Sequence, residues 1–378
     1  MKLSLEKSPF LKALSHGQSV VEKRTTSPIL SHVLLSANSS GLLLTTTDMD
    51  MALIETIPAQ VEQAGTVCVS AHLLYEIVRK LPDTSQVVLT LQPESSQLLV
   101  TSNRSRFELP CLPSEDFPQL THTDLSHHFQ LPAAVLKGLI DTTRFAMSTE
   151  ETRFHLNGIH FHTLTTDDGA FVLRAVATDM HRLACVECEA PEQAIQIPEV
   201  IMGRKVIQEV RKLLDEADQP ISIGLSNSRV EFAVESATSR AVLSSRLVDG
   251  NFPDYQMVLD IHNDKRLIVP TKPFAEAIDR VGTIVSDKVR GIKLHMVSNT
   301  LTLSAISSEF GSAQDEMDVD FPYQNPIEIC FNVRYLMDMV NQISADEIQM
   351  NLEDGDSSVL VSPMNQPETK FVLMPMRL

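Results

Sequence analysis

"LLYEIVRKLPDTSQVVLTL" (73–91), "VIQEVRKLLDEADQPISIGL" (206–225) and "YLMDMVNQISADEIQMNL" (335–352) are three spellings of one pattern. Each opens with apolar residues at helical spacing and an acid at the fourth position, crosses a polar break, and ends in an alternating strand. Leu73, Val206 and Tyr335 head the three, at offsets of 133 (73 to 206) and 129 (206 to 335). A second series keeps this register, with "FLKAL" (10–14), "VLKGL" (135–139) and "FAEAI" (274–278) reading as earlier helices. "LLLTTTDMDMAL" (42–53) resembles "FVLRAVATDMHRLA" (171–184), and "SEDFPQL" (114–120) resembles "DGNFPDY" (249–255). Self-similarity at a fixed spacing marks a repeat architecture. The chain reads as three diverged copies of one domain, each running helix, strands, helix, strands, over 1–126, 127–262 and 263–378.

Period separates the element types within a copy. Leu73, Leu74, Ile77 and Leu81 fall on one helical stripe. "QVVLTL", "QLLVTS" and "RFELPCL" alternate with period two and are divided by turn formers such as "PESSQ". The class is α+β, with helices on one side of antiparallel sheets.

A chain of 378 residues suggests two or three domains at roughly 100–200 residues each. Hydrophobic residues at 43% and charged residues at 21% are the proportions of a soluble globular protein. No apolar run approaches the roughly 18 residues of a membrane span. The opening "MKLSLEKSPFLKAL" carries Glu6 and Lys12 inside its apolar stretch, unlike a secretion signal, so a cytoplasmic location is expected. Cys68, Cys111, Cys185, Cys188 and Cys330 form no paired framework and read as free thiols.

The net charge of −18, from 31 basic and 49 acidic residues, argues against a conventional nucleic-acid binder. The argument fails if the two signs are segregated. Lys12, Arg79, Lys80, Lys137, Arg144, Arg204, Lys205, Arg211, Lys212, Arg280 and Arg334 all fall on helical stretches, whereas "DEADQ", "HNDK" and "NLEDGDS" lie in loops and strands. Helices facing one common surface would make it far more positive than the rest; alternatively, Lys and Arg simply occupy solvated helix faces.

Fragments that look catalytic are weak. "CVEC" (185–188) has no second ligand pair, His160 and His162 share a strand face with no acidic partner nearby and read as a surface or partly buried pair, and Asp179 beside His181 has no nucleophile motif to serve. No GxSxG, P-loop or GxGxxG occurs, so no catalytic residue, metal or cofactor is expected.

Five strings in order, "RTTSPILSHVLL" (24–35), "VATDMHRLA" (176–184), "SRLVDGNFPDY" (245–255), "FNVRYLMDMV" (331–340) and "VLMPMRL" (372–378), closely resemble the bacterial DNA polymerase III beta-subunit, or sliding-clamp, family. The resemblance implies three clamp domains per chain and a head-to-tail homodimeric ring. Helices would line a central pore around duplex DNA, with antiparallel sheets outside. It implies a non-catalytic role in replication, conferring processivity by tethering a polymerase. It also implies DNA contacts through Arg24, through Glu150 and Phe154 in "STEETRF" (148–154), and through Arg79, Lys80, Arg144, Arg204, Lys205, Arg211 and Lys212.

The same resemblance implies a pocket for short Gln- and Leu/Phe-containing motifs of the polymerase III core, the clamp loader, and other polymerases and repair proteins. Its walls are Leu156, Thr178, Met180, His181, Arg182, Leu183, Pro253, Met257, Val258, Asn332, Tyr335, Ser358, Met374, Pro375, Met376 and Arg377. Phe107 is placed at the dimer joint against Thr283 and Ile284 of the other copy. Departures from the best-known member fall at His72, in place of an arginine, and at Glu150, Phe154 and His155, in place of a glutamine and two tyrosines. In the pocket Met180 stands where the family often has glycine, Met257 replaces an arginine and Val289 an aromatic residue. An enzyme would instead need a perturbed Asp179–His181 pair in a deep cleft, and a pure interaction scaffold would use the pocket without enclosing DNA.

Overall fold

The computed structural model describes residues 1–22, 26–92, 96–119, 124–285 and 290–376. Arg24, Val289 and Arg377 lie outside the described residues. Among those described, the helices are α1 (Lys7–Val20), α2 (Ala71–Arg79), α3 (Ala133–Thr143), α4 (Arg204–Leu214), α5 (Gln256–Leu259), α6 (Thr271–Gly282) and α7 (Val333–Val340). Two long helices thus fall in each repeat, and α5 is a single extra turn after "NFPDY". None of these helices is long and apolar enough to cross a membrane.

The helices form where their apolar spacing provides one face to bury. In α4, Val206, Ile207, Val210, Leu213 and Leu214 are buried while Gln208 and Lys212 face water. Helix α2 corrects the sequence expectation: its buried face is Ala71, Leu74 and Val78, continued by Leu81, and Leu73 is 45% exposed. The helix starts directly from the strand Gly65–Ser70, which sets the phase at Ala71 and leaves Leu73 well around the barrel from the i, i+3, i+7 seam. Helix α7 starts where the Asn332 side chain accepts the backbone N–H groups of Arg334 (3.0 Å) and Tyr335 (3.4 Å).

By compactness the chain divides into Met1–Lys137 with Pro191–Val248, and Gly138–Ala190 with Asp249–Leu378, a division that cuts through the second repeat. The first unit holds one sheet of thirteen strands among the described residues. Their order is His127–Leu131, Ile221–Leu225, Arg229–Glu235, Arg240–Arg246, Met51–Ile57, Gly41–Thr47, His32–Asn38, Gly65–Ser70, Ser105–Leu112, Gln97–Ser102, Gln86–Gln92, Lys2–Glu6 and Gln60–Gln63. The seam between repeats is the antiparallel pairing of Arg240–Arg246 with Met51–Ile57, in which Leu243 lies opposite Leu53. Helix α1 packs on α2, on Gly41–Thr47 and on Met51–Ile57, with α4 beside it on the strands across the seam. Phe10, Leu14, Leu35, Leu42, Leu74 and Val78 belong to the core beneath.

In the second unit, Gly158–Thr165, Phe171–Thr178, Arg182–Glu189, Thr369–Leu373, Val359–Pro363, Glu347–Leu352 and Lys265–Pro270 are hydrogen-bonded in that order, every pair antiparallel. The seam recurs here as Thr369–Leu373 on Arg182–Glu189. A second sheet runs Gly311–Asp318, Thr300–Ser307, Gly291–Val297 and Ile327–Asn332. Helix α6 covers it and packs on α7.

Gly41 is held to glycine by conformation and space together. Gly41 follows a tight turn at φ +124°, and a Cβ there would meet the Ile57 carbonyl oxygen at 2.4 Å. Gly41→Ala is expected to lower the unfolding free energy by roughly 2 kcal/mol or more, from strain and backbone collision together. Urea unfolding at unchanged m-value checks this, and a midpoint equal to that of the parent would refute it.

Candidate functional site

Two strands of the second unit, Phe171–Thr178 and Arg182–Glu189, are joined by a turn whose side chains close it. The Thr178 hydroxyl donates to the Arg182 carbonyl (2.8 Å) and accepts the Met180 N–H (3.1 Å). One Asp179 carboxylate oxygen accepts the N–H groups of His181 and Arg182, both at 3.0 Å. With those groups satisfied, Met180 is held at φ +74°, the left-handed conformation that favours glycine. The methionine therefore keeps a glycine-like backbone and adds a thioether side chain 45% exposed over the groove.

That groove has a cavity volume of about 60 Å³ and is lined by Thr178, Met180, Arg182, Leu183, Pro253, Asp254, Tyr255, Val258, Val372 and Met374. Its character is apolar, with polar atoms confined to the turn and edge, which suits a short segment bearing apolar side chains. The closing strand ends at Leu373, and the tail is then pinned by two backbone bonds, Met374 N–H to the His181 carbonyl (3.0 Å) and Met376 N–H to the Cys330 carbonyl (2.7 Å). Arg182 is fixed from several directions. Its guanidinium binds Asp179 (3.1 Å) and Asp338 (2.7 Å) and lies 4.4 Å from the Tyr335 ring centre and 5.1 Å from that of Phe145.

The structure brings together Thr178, Met180, Arg182, Leu183, Pro253, Val258 and Met374 of the expected pocket. His181 stands at the rim, stacked on Tyr335 at 6.1 Å. Leu156 is buried, Met257 is 75% exposed, and Pro375 and Met376 are half-buried in the tail, all outside the cavity lining. Asn332 caps α7, and the Ser358 carbonyl accepts from the Asn263 side chain (2.9 Å). Asp254, Tyr255 and Val372 were missed; the string "SRLVDGNFPDY" (245–255), which contains the first two beside Pro253, carried their signal, and strand alternation that of the third.

Behind the groove lies a polar network that corrects the reading of His160 and His162 as a surface or partly buried pair. Both are buried, with rings stacked at 4.6 Å, and His160 also stacks on Phe252 at 4.8 Å. The strand face they share is covered by Phe252 and Tyr255, which the sequence pattern of that strand does not record. The Tyr255 hydroxyl shares a hydrogen bond with His162 Nε2 (2.9 Å) and accepts from Arg174 (3.0 Å), which in turn pairs with Glu187 (2.8 Å). Burial, helped by the charges of His160 and Arg174, pushes the His162 pKa down to about 3, and burial pushes that of Tyr255 up to about 12. Cys185 and Cys188 sit three apart on a strand and so face opposite ways. Burial pushes their thiols to about 12 and about 11, the reverse of what a reactive cysteine needs. The Asp179 carboxylate is engaged by its own turn and by Arg182, and no cluster of metal-ligating residues occurs among the described residues.

The helix cations are largely matched by carboxylates. Arg79 and Lys80 reach Glu76 (2.7 and 3.9 Å), Arg211 reaches Asp215 (2.8 Å), Lys212 reaches Glu209 (2.8 Å), and Lys205 pairs with Asp48. Arg204 is half-buried, which lowers its pKa. In the second unit Arg144 pairs with Asp141 (3.1 Å), Glu150 with Arg153 (3.0 Å), and Phe154 is 54% exposed. Departing His72 meets Gln18 of α1 at 3.2 Å. Phe107 packs half-buried on the first unit's core. Thr283 closes α6 through its hydroxyl bond to the Asp279 carbonyl (3.0 Å), and Ile284 beside it is half-buried.

Models of the DNA polymerase III beta subunit match the chain in three parts: the N-terminal domain over 1–121, the central domain over 130–254 and the C-terminal domain over 256–377. The chain is 44% identical over 377 residues to the beta sliding clamp of Caulobacter vibrioides and 34% identical over 380 residues to that of Escherichia coli, covering 100% of each chain. Among solved structures it is similar to the sliding clamp of Bartonella birtlesii bound to griselimycin (TM-score 0.95, 42% identity). It is also similar to the DNA polymerase sliding clamp of Caulobacter crescentus (TM-score 0.92, 44% identity), and both comparisons cover 100% of each chain.

Two measurements probe this site. A histidine neutral in the fold but charged when unfolded makes stability fall as pH drops below the unfolded value of 6.5 toward the folded value of about 3. Between pH 7 and 5 the parent should lose up to roughly 2 kcal/mol more than His162→Gln, and parallel stability–pH curves would exclude the linkage. Met180→Gly should relieve the left-handed strain and gain up to about 1 kcal/mol while removing one apolar wall. Loss of stability in that variant would show that the thioether packing outweighs the strain.

Proposed function

Since the chain belongs to the bacterial DNA polymerase III beta-subunit family, the sliding clamps, we propose that its role in processivity runs through three surfaces assigned on this sequence. The first is the groove between the turn 178–182 and the tail at Met374. It takes short apolar motifs of the polymerase III core, the clamp loader, and other polymerases and repair proteins. The observation that carries this reading is an apolar cavity bounded on one side by a tail pinned at Met374 and Met376. Leu183, Val258, Val372 and Met374 offer adaptable apolar contact, and Thr178 and Arg182 supply polar contacts at the edge.

The second surface meets duplex DNA through Arg24, through the helical cations Arg79, Lys80, Arg204, Lys205, Arg211 and Lys212, and, from the second unit, through Arg144, Glu150 and Phe154. Exposed ion pairs are worth about 0–1 kcal/mol, so a phosphate can exchange with Glu76 or Asp215 at little cost. Such contacts hold DNA weakly and without sequence preference. Retention then comes from enclosure, and tethering keeps a polymerase at high local concentration. The protein acts without catalysis of its own, in the cytoplasm.

The third surface closes the ring between two copies. On the outer flank of Ser105–Leu112 only Cys111 and Leu112 are paired among the described residues, and Gly311–Asp318 is the edge of its sheet. Arg104 and Arg106 on the first edge face the opposite charges of Asp315, Glu316 and Asp318 on the second when copies meet head to tail. Phe107 then packs near Thr283 and Ile284 of the other copy. We place the three domains at 1–126, 127–262 and 263–378.

Deleting residues 374–378 should abolish binding of a fluorescent Gln-Leu-Phe motif peptide while sedimentation still reports a dimer; normal peptide binding would reduce the tail to packing. Given a loader, the protein should stay on closed circular DNA and run off once that DNA is cut. Equal retention on both forms would overturn enclosure and leave an interaction scaffold.

A further inference from the structure

The turn that builds the peptide groove occurs twice. In the first unit the Thr47 hydroxyl donates to the Met51 carbonyl (2.8 Å) and accepts the Met49 N–H (3.0 Å). Asp48 accepts the N–H groups of Asp50 (3.0 Å) and Met51 (2.7 Å), and Met49 is held at φ +82°. These are, bond for bond, the contacts of Thr178, Asp179 and Met180. The seam repeats them too: Ala52 lies opposite Ser244 as Leu183 lies opposite Val372, and the Arg246 N–H donates to the Asp50 carbonyl (2.9 Å) as Met374 does to His181. Pro118 of "SEDFPQL" stands where Pro253 of "DGNFPDY" stands.

This second frame encloses a cavity of about 110 Å³ with a different lining. Small and polar residues, Ala52, Gln119 and Ser244, replace most of the apolar floor, and two guanidinium groups are added at Arg229 and Arg246. Arg229 and Arg246 are direct cross-strand partners, an arrangement that is repulsive by itself. Among the described residues lining the cavity the counter-charge is Asp50, 3.3 Å from Arg246, with both side chains of that pair well exposed. Two cations against one carboxylate leave an excess positive charge beside Met49, which is 57% exposed.

We propose that this groove is a second peptide-docking site, selective for a linear segment that places a carboxylate between Arg229 and Arg246 and an apolar side chain on Met49 and Pro118. A carboxylate relieves the cross-strand repulsion and accepts charge-assisted bonds from guanidinium groups. Asp50 repels a single carboxylate less than it repels a run of phosphates, and Met49 and Pro118 add apolar contact for a side chain beside that carboxylate, so a peptide fits better than nucleic acid. The inference does not depend on the first groove binding peptides, because the two grooves carry separate methionine reporters.

The test uses the full chain labelled with methyl-13C methionine and an acetylated pentapeptide with one aspartate between leucines, beside its asparagine twin. The Met49 methyl should shift saturably with the aspartate peptide, and the twin should bind about tenfold more weakly or worse. The double variant Arg229→Gln, Arg246→Gln should lose the Met49 response, keep any Met180 and Met374 response, and melt no lower than the parent. A Met49 signal that stays still, moves equally with the twin, or moves with a duplex oligonucleotide instead would overturn the proposal.

Discussion

Pairing with the fourth strand of a repeat, by a late strand of the repeat that follows, underlies everything else in this chain. Arg240–Arg246 closes on Met51–Ile57, and Thr369–Leu373 closes on Arg182–Glu189. Each pairing continues a sheet across a repeat boundary, which is why compactness divides the molecule through its second repeat. Register matters at both seams. A slip of one residue would turn Val372 away from the groove and present its neighbour's face instead. The backbone bond just past each seam, from Arg246 or Met374 back to the turn, depends on the same register.

The seam also explains why a binding groove arises where it does. A strand leaving its sheet beside a tight turn exposes side chains on both banks, and the turn is kept rigid by Thr and Asp side chains that satisfy its backbone. Sequence then tunes a common frame. Leucine, valine, tyrosine and methionine make the second unit's groove apolar, while serine, alanine and two arginines make the first unit's groove wider and charged. Behind the apolar groove, the Arg174–Tyr255–His162 network holds one wall in place with every named contact between 2.9 and 3.0 Å, stiffening the site from within.

Charge shows the same division between local and assembled properties. Strong acidity overall coexists with helices rich in Lys and Arg, yet most of those cations already have carboxylate neighbours within ion-pair range. Cations already paired in this way do not provide tight binding to a phosphate backbone. Loose and exchangeable contact suits a protein that must move along its ligand, with retention left to closure.

Much of this was legible in the chain. The repeat offsets, the paired helices and the Thr-Asp-Met turns are local, because helical and strand periods and side-chain-closed turns depend on residues a few positions apart. Seven of the groove's lining residues could be named from the resemblance. The phase of α2 could not be read, since an incoming strand chose Leu74 and Val78 over Leu73 for burial. The burial of His160 and His162 was hidden because Phe252 and Tyr255, some ninety residues away, cover them. The sequence by itself determined the class, the repeat and the chemistry available at each turn; only the tertiary structure decided which strands meet at the seams. That decision rests on contacts between distant segments, where burial and register act together and no local pattern records the partner.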